Sequence, residues 1–333
     1  MIRYIRYCLK SMLGVLSWGG VVLACPLLAS CIDEDLSKCG VNYTVSYAVR
    51  QPVDLGAEVR AVLSAPAEQG VAVDVEAALG GVFAGTVHDL DLPFYDVHML
   101  EHRQAAVIDA ARATMTFYMQ KADYRHLPLG NVEGGEPLGI DGADSDLALT
   151  LGTAVDDTIP SHAAPVYSGR LDMPLADRDE AYRADLYMVN SAVAVVLADA
   201  ADGIGAVTGL VDGMASGFAV NDSTFSFDRA QVTRMEGMLS PGYHTLYAVT
   251  MPSRDALPAS ADGDGLWQVK VYVDLGGKIT ENVLHISEPL RAGRVKIIKG
   301  VIKDDGSITT ESPEVGVSVT LDWKPGGSHD VEI

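Results

Sequence analysis

The chain has 333 residues, 48% of them hydrophobic and 21% charged, enough apolar side chain to fill a sizeable core and far from the composition of a disordered tail. Lys and Arg number 24 against 45 Asp and Glu, and a formal net charge of −21 repels nucleic acid and anionic lipid alike, which excludes both as partners. With 33 Gly, 15 Pro and 7% aromatics, turn-rich β structure is favoured over a helical bundle, and the length favours two domains.

Residues 1–30 stand apart. Arg3, Arg6 and Lys10 precede an uncharged run from Met12 to Leu28, the n-region and h-region of an export signal. The run is long enough to span a membrane, but Gly14, Gly19, Gly20 and Pro26 within it, and small residues at its end, favour a cleaved signal over an anchor. Leu28-Ala29-Ser30-Cys31 resembles a lipobox, the site at which bacterial lipoprotein maturation attaches diacylglycerol to the Cys and cleaves just before it. Cys31 is therefore the expected lipidation site and first mature residue. Removing residues 1–30 takes away three basic residues and no acidic one, so the formal charge moves from −21 to −24. Lipid chains on Cys31 would suffice for stable anchoring in the outer membrane. Asp33, Glu34 and Asp35 follow, an acidic cluster that resembles the surface-export signal of Bacteroidetes lipoproteins; a solvated linker is the plainer reading. Cys8 and Cys25 leave with the signal and Cys31 is taken by lipid, so Cys39 is left alone, and neither a disulfide framework nor a thiolate metal site is available.

In the mature chain, Val41, Tyr43, Val45, Tyr47 and Val49 alternate with polar or small residues, the period of a half-buried strand. The windows Val71–Leu79 and Val97–Ala113 read as helices. Strand alternation returns at Met115, Phe117 and Met119; residues 128–185 are loop-like, and Val193–Ala198, Leu266–Leu275, Lys296–Ile302 and Val315–Leu321 complete the expected strands. Turn pairs such as Asp202-Gly203, Asp212-Gly213, Gly276-Gly277 and Asp305-Gly306 separate them. The expectation is a mainly β chain of β-sandwiches with one or two short helices in the first half, divided as a lipidated acidic linker (31–40), an N-terminal domain (41–184) and a C-terminal domain (185–333).

Motifs that could carry chemistry are few. His98-Met99-Leu100-Glu101-His102 spells H-x-x-E-H, the zinc motif in which two His on one helical face bind metal beside a general base. A third ligand has no signal beyond scattered acids such as Glu180, and Met99, Val107 and Ile108 read as an amphipathic surface helix. In Gly213-Met214-Ala215-Ser216-Gly217 the serine sits one position late for a nucleophile elbow. Asp262-Gly263-Asp264-Gly265 and Asp141, Asp144, Asp146 lack the terminal Glu of a calcium loop and read as acidic turns. Tyr43, Tyr47, Tyr118 and Trp267 occupy strand positions and read as core or sheet-face residues before sugar platforms. No catalytic residue, metal or cofactor is expected.

The mature N-terminus, Cys31-Ile-Asp-Glu-Asp-Leu-Ser-Lys-Cys39-Gly, resembles the C-x3-DLS-x-C start of the Bacteroidetes fimbrial anchor and minor-subunit lipoproteins. Val82-Phe83 with Leu90-Asp-Leu-Pro-Phe-Tyr95, then Tyr124-Arg-His-Leu-Pro-Leu-Gly-Asn131, then Leu210–Gly217, are similar to that family's pattern in the same order, over roughly residues 31–220. The resemblance implies two tandem transthyretin-like (Greek-key) β-sandwich domains and lipid anchoring at the cell exterior. It also implies a part in building fimbriae, joined to shaft or accessory subunits by β-strand addition. Val315, Val317, Val319 and Leu321, or Val41, Val45 and Val49, are the candidate pairing strands. A surface glycan-binding lipoprotein is the rival reading and an H-x-x-E-H zinc hydrolase the third.

Overall fold

The computed structural model describes residues 40–96, 99–133, 135–141, 149–154, 156, 158–257 and 265–321. Cys31, Asp33, Glu34, Asp35 and Cys39 lie outside the described residues, as do His98, Asp144, Asp146, Asp262 and Asp264.

β1 (Val41–Val49) follows the alternation of its sequence, with Val41, Tyr43, Val45 and Tyr47 buried. The chain then enters α1 (Leu55–Val62), whose start is capped by Asp54 accepting a hydrogen bond from the Ala57 N–H at 3.0 Å. A 3-10 turn, Pro66–Glu68, leads to α2 (Gln69–Gly80), which buries Val71, Ala72, Val75 and Leu79 and matches the window Val71–Leu79. Next come β2 (Val87–Asp96), β3 (Met99–Ala110) and β4 (Arg112–Met119).

β3 and β4 correct the helix expected over Val97–Ala113. Met, Leu, Glu, Arg, Gln and Ala are good helix formers, yet the same residues also alternate, and β2 offers them a partner along the whole strand. Leu90 stands opposite Ala106, and Phe94 opposite His102. Pairing with β2 and partial burial of one face override local propensity here.

The stretch 128–185 is less irregular than its composition suggests. After β5 (Tyr124–His126) it holds six strands of two to four residues: β6 (Leu129–Gly130), β7 (Leu138–Asp141), β8 (Thr150–Thr153), β9 (Thr158–Ile159), β10 (Tyr167–Ser168) and β11 (Leu171–Met173). β12 (Glu180–Met188) follows and lies parallel to β1. A nine-stranded sheet runs β11-β5-β2-β6-β10-β12-β1-β4, with β3 beside β2.

The later strands are β13 (Ser191–Asp199), β14 (Ile204–Asp212), β15 (Gly217–Ala219), β16 (Thr224–Ser226), β17 (Val232–Arg234) and β18 (Glu236–Ser240). β19 (Tyr243–Thr250), β20 (Trp267–Leu275), β21 (Lys278–Ile286), β22 (Val295–Ile302), β23 (Ile308–Thr310) and β24 (Val315–Thr320) complete them. Gly276 and Gly277, at φ 62° and 83°, make the tight turn joining β20 to β21, a left-handed backbone that side chains with a Cβ resist.

Three further sheets run β18-β19-β13-β22-β23, β24-β21-β20-β14-β17-β9 and β16-β15-β8-β7. The first two of these pack face to face as a β-sandwich. Val193, Val195, Leu197, Leu246 and Ile298 on one side meet Val211, Trp267, Val269, Val271, Leu284 and Ile286 on the other. Each fully buried aliphatic contributes about 1.5–3 kcal/mol to holding the two sheets together.

β13 is buried on both faces, which its uninterrupted apolar run Ala192–Ala198 accommodates. Its second face, Ala192, Ala194 and Val196, shares a core with Val59, Val71, Val75 and Leu79 of the helices and with Tyr43, Val45 and Tyr47 of β1. α1 and α2 thus join the inner face of the nine-stranded sheet to the outer face of the sandwich. Glu68 reinforces this joint: it accepts the Ala65 N–H at 3.0 Å and pairs with Lys299 on β22 at 2.5 Å.

Candidate functional site

The H-x-x-E-H segment does not have helical geometry where it is described, since Met99, Leu100, Glu101 and His102 all belong to β3. Along a strand Glu101 and His102 point to opposite faces. Glu101 is exposed, whereas the His102 ring lies 5.8 Å from both the Phe94 and Phe117 rings in an aromatic cluster. Among the described residues, no group of three or more His, Cys, Asp or Glu is placed to hold a metal ion.

A histidine that sequence reasoning passed over is the most perturbed in that region. His126 is fully buried and stacks on Phe94 at 3.9 Å with an interplanar angle of 6°. Its Nδ1 lies 2.8 Å from the Pro93 carbonyl oxygen, which can only accept, so Nδ1 carries the proton. Nε2 therefore accepts from the Tyr47 hydroxyl at 2.8 Å. Burial pushes the ring's pKa down to about 3 and raises that of the Tyr47 phenol. Both partners have their polar atoms satisfied inside an apolar shell, an arrangement that fixes the packing of β1 against β5 and leaves no proton to exchange with a substrate.

The other motifs resolve in the same way. Ser216 is buried, its N–H bonded to the Ser226 carbonyl and its own carbonyl accepting from Thr153. Asp141 ends β7. Tyr43, Tyr47 and Trp267 are core residues, and Trp267 donates its indole N–H to the Glu288 carbonyl at 2.8 Å. Tyr118 alone of the four aromatic positions is solvent-facing, at 70% exposure.

The two candidate pairing strands fare differently. β1 lies inside the nine-stranded sheet, with β12 on one side and β4 on the other and with Val41 and Val45 buried; it is a core strand with no free edge. β24 ends the six-stranded sheet and, among the described residues, pairs only with β21. Its alternating apolar residues begin in the sandwich core, where Val315 lies opposite Ile286 and Val317 opposite Leu284. The same stripe then outruns the core: Val319 is 42% exposed and Leu321, just past the strand, 58%. Among the described residues β24 thus offers an unpaired backbone edge beside exposed apolar side chains of one alternation, which is what strand addition requires.

No family model and no curated protein matches the chain. Among solved structures, the chain is similar to the fimbrial anchor protein Mfa2 of Porphyromonas gingivalis at 11% identity and a TM-score of 0.47, over 85% of this chain and 99% of that one. It is similar to a candidate adhesin of Bacteroides thetaiotaomicron at 12% identity and a TM-score of 0.49, covering 86% and 98%. A candidate cell-adhesion protein of Bacteroides eggerthii gives 11% identity and a TM-score of 0.49, covering 86% and 96%.

Proposed function

We propose that this chain is a cell-surface lipoprotein that serves as a fimbrial anchor or minor assembly subunit and joins its neighbours by β-strand addition at the edge of β24. The observation that carries the reading is the β24 stripe, which starts in the sandwich core and continues into solvent at Val319 and Leu321 along an edge that, among the described residues, has a single partner strand. Main-chain hydrogen bonds from an incoming strand would satisfy that edge, and the exposed alternation would set its register.

The sequence supports the remaining parts of the proposal. Leu28–Cys31 fits a lipobox, and the lipid on Cys31 would hold the protein at the outer membrane. Asp33, Glu34 and Asp35 would direct it outward. The division near Asp185 would give two β domains, and the role needs no catalytic residue, metal or cofactor.

Deleting the protein and imaging surface filaments tests the assembly role. Filaments altered in number, length or attachment are expected; filaments unchanged in all three would defeat the reading and raise the glycan-binding alternative. Cys31→Ala is expected to leave the precursor unprocessed or the protein released, and mass spectrometry finding an unmodified Cys31 on membrane-bound mature protein would remove the anchor from the proposal. Alanine at Asp33, Glu34 and Asp35 together should retain lipidation but lose digestion by protease added to intact cells.

A further inference from the structure

In a chain of net charge −21, one groove is lined, among the described residues, by guanidinium groups and by no carboxylate. Its volume is about 480 Å³, and its walls are Arg50–Val53 after β1, Tyr187 and Met188 at the end of β12, and Ala292–Arg294 before β22. Backbone hydrogen bonds tie these three segments to one another and to the short β12–β13 link. The Arg50 N–H donates to the Leu186 carbonyl at 2.8 Å, the Val53 N–H to that of Gly293 at 3.3 Å, and the Gly293 N–H to that of Asn190 at 2.7 Å. The groove is therefore preformed, and it falls in the size range of small-molecule sites.

Its charge is held in place from behind. Arg50 Nη2 lies 2.6 Å from Asp185 Oδ2, and Arg183 Nε lies 3.0 Å from the other oxygen of the same carboxylate. Arg294 is exposed and has no ion-pair partner among the described residues. Arg50 and Arg183 share that one carboxylate and Arg294 stands on the groove wall, so the basic groups outnumber the acid behind them, a local charge against the sign of the whole molecule. Tyr187 is 59% exposed beside them, its hydroxyl engaged with Arg50 and its ring facing solvent, and Pro52, Val53 and Met188 supply apolar wall.

We propose that this groove binds the carboxylated sugar unit of a surface glycan, a uronic or sialic acid residue, with its carboxylate on Arg294 and the free donors of Arg50 and its ring face on Tyr187. The planar fork of Arg matches a carboxylate with two parallel hydrogen bonds, and a phenol ring offers the C–H face of a pyranose a flat surface with few rotamers to lose. This site is independent of the β24 edge, so the fimbrial reading stands or falls separately.

Ligand-observed NMR on the purified whole protein tests it, with N-acetylneuraminic acid and glucuronic acid as probes and N-acetylglucosamine and succinate as controls. Both acidic sugars are expected to bind, and more weakly as salt rises. Arg294→Gln should reduce their affinity about tenfold and Arg294→Lys by less. Tyr187→Ala should weaken the acidic sugars and leave succinate unaffected. Both side chains are exposed, so an unchanged thermal melt is expected for each variant; should Arg294→Gln unfold, Arg294→Lys and Tyr187→Ala decide the matter. Equal binding of N-acetylglucosamine, succinate binding as tightly as the acidic sugars, indifference to Arg294→Gln in a folded variant, or no binding of either acidic sugar would each overturn the proposal.

Discussion

The β24 stripe makes a prediction in which stability and assembly separate along a single strand. Val315 is 7% exposed and packs into the sandwich core beside Ile286, so Val315→Ala removes two buried methyl groups. At ~0.8 kcal/mol for each buried carbon plus the cavity left behind, the loss is about 2–3 kcal/mol. Val319 and Leu321 are 42% and 58% exposed, and a charged residue at either position stays in water, so Val319→Asp with Leu321→Asp should cost no more than ~0.5–1 kcal/mol. An arriving strand would bury both side chains, and two carboxylates there would have to be desolvated without partners. The double variant should therefore fold and yet fail to hold filaments. Urea denaturation measures the first quantity, and counting attached filaments on cells that carry each variant measures the second. A double variant as unstable as Val315→Ala would mean that the stripe belongs to the core throughout. A stable double variant with normal filament attachment would mean that β24 is a bare edge without a partner.

Glu68→Gln should cost about 1–3 kcal/mol at neutral pH, because Lys299, on β22, loses its charged partner. Burial works to raise the Glu68 pKa, but the Lys299 ammonium and the Ala65 N–H outweigh it and hold the carboxyl below its usual range. Its contribution is therefore present above the unfolded carboxylate pKa of about 4.3 and lost as pH falls through the lower folded value, so the gap between wild type and variant in urea denaturation should close in acid. His126 and His162 are depressed by burial to about 3 and about 4, from an ordinary value of 6.5. The unfolded chain takes up their protons first, so stability should fall as pH drops from ~6.5 toward those values, by up to ~2.7 kcal/mol per pH unit for the two rings together. His126→Phe should flatten that slope, and a ring-carbon NMR shift already moving at pH ~5.5 would contradict the neutral assignment. Asn190 accepts the Val166 N–H at 2.5 Å and donates to His162 Nδ1 at 2.9 Å, so Asn190→Ala should cost about 2–4 kcal/mol in the same assay.

What the sequence disclosed followed from one-sided burial. β1, β20 and β24 each keep one face in a core, so an alternation survives in their residues; β13, buried on both faces, reads instead as a continuous apolar run. The misread segment is β3, exposed along much of its length, where nothing forces out helix-forming side chains and the pairing that decides its structure comes from β2. α1 escaped notice because eight residues hold barely two turns of pattern, although Asp54 and Glu58 are the right residues for its first turn. For the sites the limit was distance along the chain. Tyr47 and His126 meet across β1 and β5, and Arg50, Tyr187 and Arg294 come from three separate segments, so no local spacing could have joined them.

The placement of α2 has a consequence for how this chain must be made. Val71, Val75 and Leu79 take part of their cover from α1 and β1, which precede them, but the rest from β13 and the strands beside it, far downstream. During synthesis the helix emerges long before residues 191–250, and that part of its apolar side stays bare in the interval. β1 likewise waits for β12, its parallel neighbour. Such long-range closures slow folding and prolong the exposure of sticky surface. A chain of this design should refold slowly in isolation and benefit from a holding chaperone, with the need concentrated in the interval before β13 arrives.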